Sequence, residues 1–507
     1  MKKLLALLLT LSLILCSFAL AAHAEDGCVC GHTPIIHVCG LGAKIYNGED
    51  LVFPPTKDTI LKAVKNAVGA VSPLLTGSAS MWQQEKLLKV AQTIFGDIGL
   101  DENGDPTSGI GIHFNYRPDT SCHKTGDMID FDHDWRLDPF DNAALLHDFV
   151  EYVKETTGHD KVCLVGESMG TILVNTYLAV YGFDGIESVV WYNGAYNGVA
   201  TCSDSFAHKN DFSADALATY LAEIGTNSGS QFLYDFLTAL YDSGLFAEVF
   251  DSALSINDSL EEHGFITRFM TSSIGRFPGF WSLVSYENFD TAIEYIFNTP
   301  ELKAEYATLI ERVTRYHTEV SAKVDDIMAQ ADALTGKAAI VCGYGSHMPA
   351  VTADNDQQSD SVISTAAESN GATCAPLGTA FPADYAQAVN DGHDHISPDR
   401  EIDASTGFLP EKTWYVKYAS HSFFGSGFSK TIVNKILDEE DFNVFSDPEF
   451  PQFMVFDKES GSISPLTADN GAGAQMDKGF FNKILTVLLK VQAMLLKFVK
   501  MLVNIGK

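Results

Sequence analysis

One short motif in the sequence combines a potential nucleophile with the glycines that would let it react. Ser168 is the centre of a Gly-x-Ser-x-Gly sequence, with Gly166 two residues before it and Gly170 two residues after it. In acyl-transfer enzymes, such a serine occupies a sharp turn between a strand and a helix, where larger side chains at the two glycine positions would collide with the backbone. The motif therefore predicts a nucleophilic serine with an exposed hydroxyl.

A serine hydroxyl needs a base to remove its proton, and the base needs an acid to orient it. His421, the last histidine in the chain, is the predicted base, and it follows the apolar stretch Thr413–Val416. The acid should lie shortly before the histidine, because α/β-hydrolases place these residues in the order Ser, acid, His. Asp391 and Asp394 are the two candidates for the acid.

Acyl transfer also builds up negative charge on an oxygen, which two backbone N–H groups usually stabilise. Met169, the residue after the nucleophile, should supply one of these donors. The second donor should come from the loop after the first core strand, where Gly40-Leu41-Gly42 follows the apolar run Pro34–Cys39. We predict that Leu41 supplies this second N–H group.

The segments that would position these groups alternate between strands and helices. Short apolar runs rich in β-branched residues predict buried strands, whereas Asn142–Thr156 and Met169–Tyr181 have helical spacing. Strands that alternate with helices predict an α/β fold with a mostly parallel sheet covered on both faces. The predicted strands are Pro34–Cys39, Lys161–Val165, Ser188–Tyr192 and Ala338–Cys342.

Local composition divides the chain into five regions. Residues 1–24 combine two lysines, an apolar run and Ala22-His23-Ala24, a pattern typical of a secretory signal peptide, so we expect a secreted protein. Two parts of an α/β core are predicted at 25–202 and 338–467, with a helical insertion at 203–337 between them. Residues 468–507 predict a linker and a basic amphipathic helix that would lie on a membrane surface.

Charge excludes one large class of partners. The chain has 33 Lys and Arg against 66 Asp and Glu, a formal net charge of −33 at pH 7. Such an acidic protein repels phosphate backbones, so we predict no nucleic-acid partner. We also predict no cofactor and no metal ion, because the acidic and histidine-containing segments lack the ligand spacing that defines a metal geometry.

Five segments together resemble the lecithin:cholesterol acyltransferase-like family, which includes the lysosomal phospholipases. They occur in the family's order and rough spacing, and the resemblance extends from about Pro34 to Phe424. The segment beginning Asp-Trp-Arg is the most specific of the five. The segments are Pro34–Gly42, Asp134–Pro139, Gly166–Gly170, Asn193–Gly198 and Cys342–Gly345.

This resemblance implies an α/β-hydrolase core in which the insertion forms a cap. The family forms an acyl-serine from a lipid ester and passes the acyl group to water or to an alcohol. Ser168 and His421 correspond to its nucleophile and base. An ungapped alignment would place the family's acid on His393, so a small shift is needed, and we prefer Asp391 because an Asp-Gly turn can aim its carboxylate inward.

The sequence therefore predicts a serine lipase, esterase or phospholipase that acts on lipid esters. One alternative is an acyltransferase that prefers an alcohol as acceptor. A second alternative, from a different class, is a hydrolase fold that has lost catalysis and serves as a binding module.

Overall fold

An eight-stranded sheet lies at the centre of the structure. The structure, a computed structural model, describes residues 32–54, 88–89, 95, 98–107, 109–114, 128–210, 265–349, 351–421, 427–439, 441–457 and 460–471. In spatial order the sheet consists of β5 (Met128–Phe131), β1 (Ile35–Val38), β6 (Val162–Glu167), β7 (Ile186–Tyr192), β8 (Ala338–Tyr344), β11 (Thr413–Lys417), β12 (Phe453–Asp457) and β13 (Ser462–Pro465).

The strands from β5 to β12 all run parallel, and β13 pairs antiparallel with β12. Every residue of β1, β8 and β11 is buried, as expected for strands covered on both faces. The predicted α/β fold with a mostly parallel sheet is confirmed. Two small antiparallel sheets accompany it, one of β2 (Ile45–Asn47), β3 (Asp50–Phe53) and β4 (Ile110–Gly111), the other of β9 (Thr373–Cys374) and β10 (Ile402–Asp403).

Helices connect the strands. In chain order they are α1 (Pro139–Thr157), α2 (Met169–Tyr181), α3 (Ala200–Phe206), α4 (Phe265–Thr271), α5 (Pro278–Trp281), α6 (Tyr286–Ile296), α7 (Pro300–Glu305), α8 (Ala307–Glu319), α9 (Val324–Thr335), α10 (Thr365–Glu368) and α11 (Gly427–Asp438).

Helix α1 shows how the sequence sets these boundaries. The Asp138 side chain accepts a hydrogen bond from the N–H of Phe140 at 2.9 Å, and Pro139 occupies the first helical position. The helix ends at Gly158, whose φ of 70° suits a residue without a side chain. These caps fix α1 between β5 and β6.

Different helices cover the two faces of the sheet. Helices α1, α2 and α9 pack on the face that carries Leu164 and Trp191, whereas α11 packs on the face that carries Val165 and Val190. A third apolar cluster around Trp281 joins α3 to the helices between α4 and α8. Helix α9 falls inside the predicted insertion at 203–337, yet it packs in the main core of the sheet.

Two predicted regions lie wholly or mostly outside the described residues. These are the signal peptide at 1–24 and the basic helix within 468–507, and much of the insertion, at 211–264, lies outside as well. Among the helices that the structure does describe, none is both long enough and apolar enough to span a bilayer.

Candidate active site

Ser168 occupies the turn between β6 and α2, with a φ of 52° that few residues other than glycine adopt. The two flanking glycines make this turn possible. A Cβ at Gly170 would lie 2.0 Å from the carbonyl oxygen of Val38, and a Cβ at Gly166 would lie 2.9 Å from Thr171 Cα. Neither position can hold a side chain unless the backbone moves, so the Gly-x-Ser-x-Gly spacing follows directly from the packing of this turn.

His421 lies within hydrogen-bond distance of both Ser168 and a buried carboxylate. Ser168 Oγ is 2.8 Å from His421 Nε2, and Nδ1 on the other side of the ring donates to Asp360 Oδ2 at 2.5 Å. Ser168 follows β6, Asp360 lies in the segment after β8, and His421 follows β11. Because these strands are parallel, their carboxyl ends meet at one edge of the sheet, where the three side chains converge.

The sequence-based choice of acid was wrong. Asp391 contacts His395 Nε2 through Oδ2 at 2.9 Å and accepts the N–H of His393, so its carboxylate does not orient His421. Asp394 is exposed and accepts the N–H of Ile396 at 3.1 Å. Both residues stabilise a turn of their own segment, and Asp360 is the carboxylate against the imidazole of His421.

The fold holds Asp360 in place through its other oxygen. Oδ1 accepts the N–H groups of Val362 at 2.9 Å and Ile363 at 2.8 Å. Gly343 makes room for it, since a Cβ there would lie 2.6 Å from Asp360 Cβ. Gly343 is part of the segment Cys342–Gly345 noted in the sequence, and Asp360 lies in the polar stretch that follows this segment.

A second carboxyl group, Glu368, lies behind Asp360 and was not predicted. Glu368 is fully buried, and its Oε2 accepts the N–H of Gly343 at 2.8 Å. Its Oε1 has no N–H or O–H donor in the described part of the chain, and an oxygen of its carboxyl group lies within 4.8 Å of an oxygen of Asp360. Two carboxyl groups can share a hydrogen bond only when one of them keeps its proton.

Electrostatics assign this proton to Glu368. Burial, followed by the charge of Asp360, raises the pKa of Glu368 well above its ordinary value. Burial would also raise the pKa of Asp360, but the charge and hydrogen bond of His421 outweigh it and hold this pKa low. Burial lowers the pKa of His421, whereas the charge and hydrogen bond of Asp360 raise it, with a net increase. These pKa directions favour a neutral Glu368 that can donate to a charged Asp360, and Asp360 in turn contacts the imidazole of His421.

The loop after β1 passes directly beside the nucleophile. A Cβ at Gly40 would lie 2.9 Å from Ser168 Cβ and 3.4 Å from Ser168 Oγ, so the backbone comes as close as a glycine allows. Leu41 is the next residue, with its side chain exposed. Met169 is the first residue of α2, and N–H groups at this position have no acceptor within their helix. The role of Leu41 and Met169 as oxyanion donors stays a prediction.

Further backbone contacts hold the turn against its neighbours. The N–H of Ser168 donates to the carbonyl of Tyr192 at 3.0 Å, and the carbonyl of Ser168 accepts from Thr171 Oγ1 at 2.6 Å. The side-chain amide of Asn193 donates to the carbonyl of His421 at 3.2 Å. The end of β7 therefore contacts both the serine and the histidine, which fixes their separation.

The Asp134-Trp135-Arg136 segment supports the site from one side. Arg136 is fully buried and binds Asp134 through two hydrogen bonds, at 2.9 Å from Nε and 2.6 Å from Nη2. Trp135 donates to the carbonyl of Ala43 at 3.0 Å, in the segment that follows Leu41. A Cβ at Gly279 in α5 would lie 2.0 Å from the carbonyl oxygen of Trp135 and 2.9 Å from Met169 Cε. This segment thus connects the β1 loop, α5 and the nucleophile turn.

Two groups of described residues bring together side chains of the types that bind metals. The first is Asp360, Glu368 and His421, in which Asp360 contacts the imidazole that lies against Ser168. The second consists of His37, Cys39 and Asp130, at the carboxyl end of β1. The first group can do the acid–base chemistry of acyl transfer without a metal ion.

No protein-family model matches the chain, and no curated protein matches it. Among solved structures, the chain is similar to a chain in the crystal structure of the Tle4-Tli4 complex. The two share 10% sequence identity over 81% of this chain and 99% of the other, with a TM-score of 0.33. A likeness this loose establishes neither a family nor an activity.

Proposed function

We propose that this protein is a serine hydrolase that cleaves lipid carboxylic esters through an acyl-serine intermediate. The observation that carries the proposal is the continuous hydrogen-bonded chain from Ser168 through His421 to Asp360, with contacts of 2.8 and 2.5 Å. A serine, an imidazole and a buried carboxylate in this order are the recurrent machinery of acyl transfer on unrelated folds. On this proposal the sheet is an α/β-hydrolase core, and the helices that precede α9 between β7 and β8 form its cap.

Each step of the reaction has an assigned group. Ser168 Oγ attacks the ester carbonyl carbon while His421 Nε2 takes its proton, and the oxyanion accepts the N–H groups of Leu41 and Met169. The carbonyl–alkoxy bond then breaks, and His421 returns the proton to the leaving alcohol. A water molecule attacks the acyl-serine, His421 takes its proton, and the free acid leaves as Ser168 regains its hydrogen.

Two exposed or partly exposed apolar side chains near the nucleophile turn are evidence for an apolar substrate. Leu41 is 45% exposed and follows Gly40, the residue in contact with Ser168. Phe280 is partly exposed and lies next to Gly279, which adjoins Met169. Exposed apolar side chains next to the residues that adjoin the nucleophile turn suit an acyl chain. The resemblance to the lecithin:cholesterol acyltransferase-like family favours the same substrate class.

Covalent labelling tests the proposal. A fluorophosphonate probe should label the purified protein, and Ser168→Ala should abolish labelling, whereas the exposed Ser272→Ala control should label normally. Hydrolysis of nitrophenyl esters from acetate to palmitate then gives the preferred chain length, and added alcohol shows whether the acyl group passes to water or to the alcohol. A folded protein that neither labels nor cleaves any ester would instead be a binding module.

A further inference from the structure

A second cluster of reactive side chains lies at the carboxyl end of β1, and the proposed acyl transfer does not use it. It contains the imidazole of His37, the thiol of Cys39 and the carboxylate of Asp130. One ligand atom from each lies within 4.8 Å of the other two. Nitrogen, sulfur and carboxylate oxygen together form a typical ligand set for zinc.

The distances are close to those of a tetrahedral site. His37 Nδ1 lies 2.8 Å from Asp130 Oδ1 and 3.7 Å from Cys39 Sγ. Zinc bonds of about 2.0–2.3 Å to these atom types place neighbouring tetrahedral ligands roughly 3.3–3.6 Å apart. Small rotations of the Asp130 and Cys39 side chains would therefore bring all three atoms into coordination distance.

The opposite side of the imidazole has the partner that a metal-binding histidine needs. Glu167 Oε2 lies 3.1 Å from His37 Nε2. Metal-bound histidines usually donate their second ring N–H to a carboxylate or a carbonyl, which fixes the ring and directs its free nitrogen at the ion. Glu167 can accept this N–H, so Nδ1 is left to face Cys39 and Asp130.

Strand pairing assembles the cluster. His37 and Asp130 are register partners on the parallel strands β1 and β5. Cys39 follows two residues after His37 and, because side chains alternate along a strand, projects to the same face. The Asp130 side chain is 69% exposed, so an ion can reach it from solvent. Asp132 is also exposed and lies two residues after Asp130.

We propose that His37, Cys39 and Asp130 bind a zinc ion, with Glu167 orienting the histidine and water or Asp132 in the fourth position. The ion would connect the ends of β1 and β5 immediately before Gly40, where the chain passes Ser168, so its role would be structural. This site was not expected from the sequence, because its ligands come from two strands and do not form a local motif. It does not depend on the proposed esterase activity.

The alternative is a metal-free cluster in which a protonated His37 is held between two carboxylates. Zinc retention distinguishes the two possibilities. The full chain is freed of metal with a chelator, loaded with Zn²⁺ and separated from excess ion by gel filtration, and the bound zinc per chain is then measured. We expect the wild type to retain one more equivalent of zinc than Cys39→Ser or Asp130→Asn. Cys374→Ser and the exposed Asp148→Asn are the matched controls and should retain as much as the wild type.

Cobalt substitution supplies a spectroscopic measurement of the same site. The Co²⁺-loaded wild type should show tetrahedral visible bands and a thiolate-to-cobalt charge-transfer band, and Cys39→Ser should lose the latter. Zinc should also raise the unfolding temperature of the wild type more than that of Asp130→Asn. Equal zinc retention in all variants, or a cobalt spectrum without a Cys39-dependent thiolate band, would overturn the proposal and leave the metal-free ion cluster.

Discussion

Asp360 and Glu368 place two fully buried carboxyl groups beside His421, with an oxygen of each within 4.8 Å of the other. A lone buried carboxylate would pay a large desolvation cost, and a second one next to it would add repulsion. The protonated Glu368 avoids this repulsion because it acts as a donor, and it leaves the negative charge on the group that contacts the imidazole. Glu368 is thus a positioning residue that acts through Asp360.

Substitution of Glu368 tests this assignment of the proton. Glu368→Gln keeps a donor toward Asp360 and an acceptor for Gly343, so activity and its pH dependence should stay within about threefold of the wild type. Glu368→Leu removes the donor, which should cost about 1–3 kcal/mol of stability and shift the inflection of the pH profile to higher pH, because a less stabilised Asp360 holds the imidazolium more tightly. The rate of fluorophosphonate labelling between about pH 5 and about pH 9 measures both effects.

An ionised Glu368 would give the opposite pattern. Glu368→Gln would then remove a charge next to Asp360 and alter the pH profile as strongly as Glu368→Leu. Circular dichroism of both variants separates such an effect from misfolding.

The pH dependence of the wild type follows from His421. The imidazole must be neutral to take the Ser168 proton, so activity should fall as acid protonates it. Because Asp360 raises the pKa of His421 above the ordinary value of 6.5, the inflection should lie above pH 6.5. An inflection at or below this pH in the labelling rate would contradict the coupling between the two residues.

Single substitutions of the candidate acids test whether Asp360, found in the structure, or Asp391, chosen from the sequence, orients His421. Asp360→Asn should lower the turnover of a soluble nitrophenyl ester by roughly 10³–10⁴-fold, because the amide cannot hold the imidazole in its productive tautomer. Asp391→Asn should change turnover by less than about twofold, since its contacts are with His393 and His395. The reverse ranking would restore the prediction made from the sequence.

The parts of the site that could be predicted from sequence are those that depend on local geometry. The glycines around Ser168 are required by atoms within a few residues or on the adjacent strand, so a short motif records them. The central strands β1, β6, β7 and β8 are equally readable, because burial on both faces demands continuous apolar runs such as those of β6 and β8. The same argument gave the α/β fold.

The acid could not be found in this way because its burial is a tertiary effect. Asp360 lies in a polar segment that looks like an exposed loop. In the structure, Gly343 leaves room for its side chain, and the N–H groups of Val362 and Ile363 donate hydrogen bonds to its carboxylate. Glu368 presents the same difficulty, since nothing in its neighbourhood in the sequence distinguishes it from a solvent-exposed glutamate. Asp391 precedes a glycine in a turn, which favoured it in the sequence, but in the structure its carboxylate contacts His393 and His395 and not His421.

Two glycines in the β1 loop offer a matched pair of substitutions. Gly40→Ala would place a Cβ 2.9 Å from Ser168 Cβ and 3.2 Å from the carbonyl of Glu167, so the loop must move away from the nucleophile. We expect turnover to fall at least tenfold, given that small displacements of an oxyanion donor cost about this much or more. Gly42→Ala meets nothing within 4 Å and should behave as the wild type. Equal activity of the two variants would show that the loop does not need its position beside Ser168.

The buried ion pair of Asp134 and Arg136 should contribute to stability far more than an exposed pair. Arg136→Ala leaves the Asp134 carboxylate buried without its partner, which should cost about 3–5 kcal/mol of unfolding free energy. Arg136→Lys should recover only part of this loss, since an ammonium group cannot form the paired contacts made by Nε and Nη2. Lys303→Ala, which removes the exposed contact with Glu294 at 2.6 Å, should cost less than about 1 kcal/mol. Urea unfolding of the full chain measures the unfolding free energy of all three variants. If Arg136→Ala lost no more unfolding free energy than Lys303→Ala, packing around Trp135 and not the ion pair would hold this segment in place.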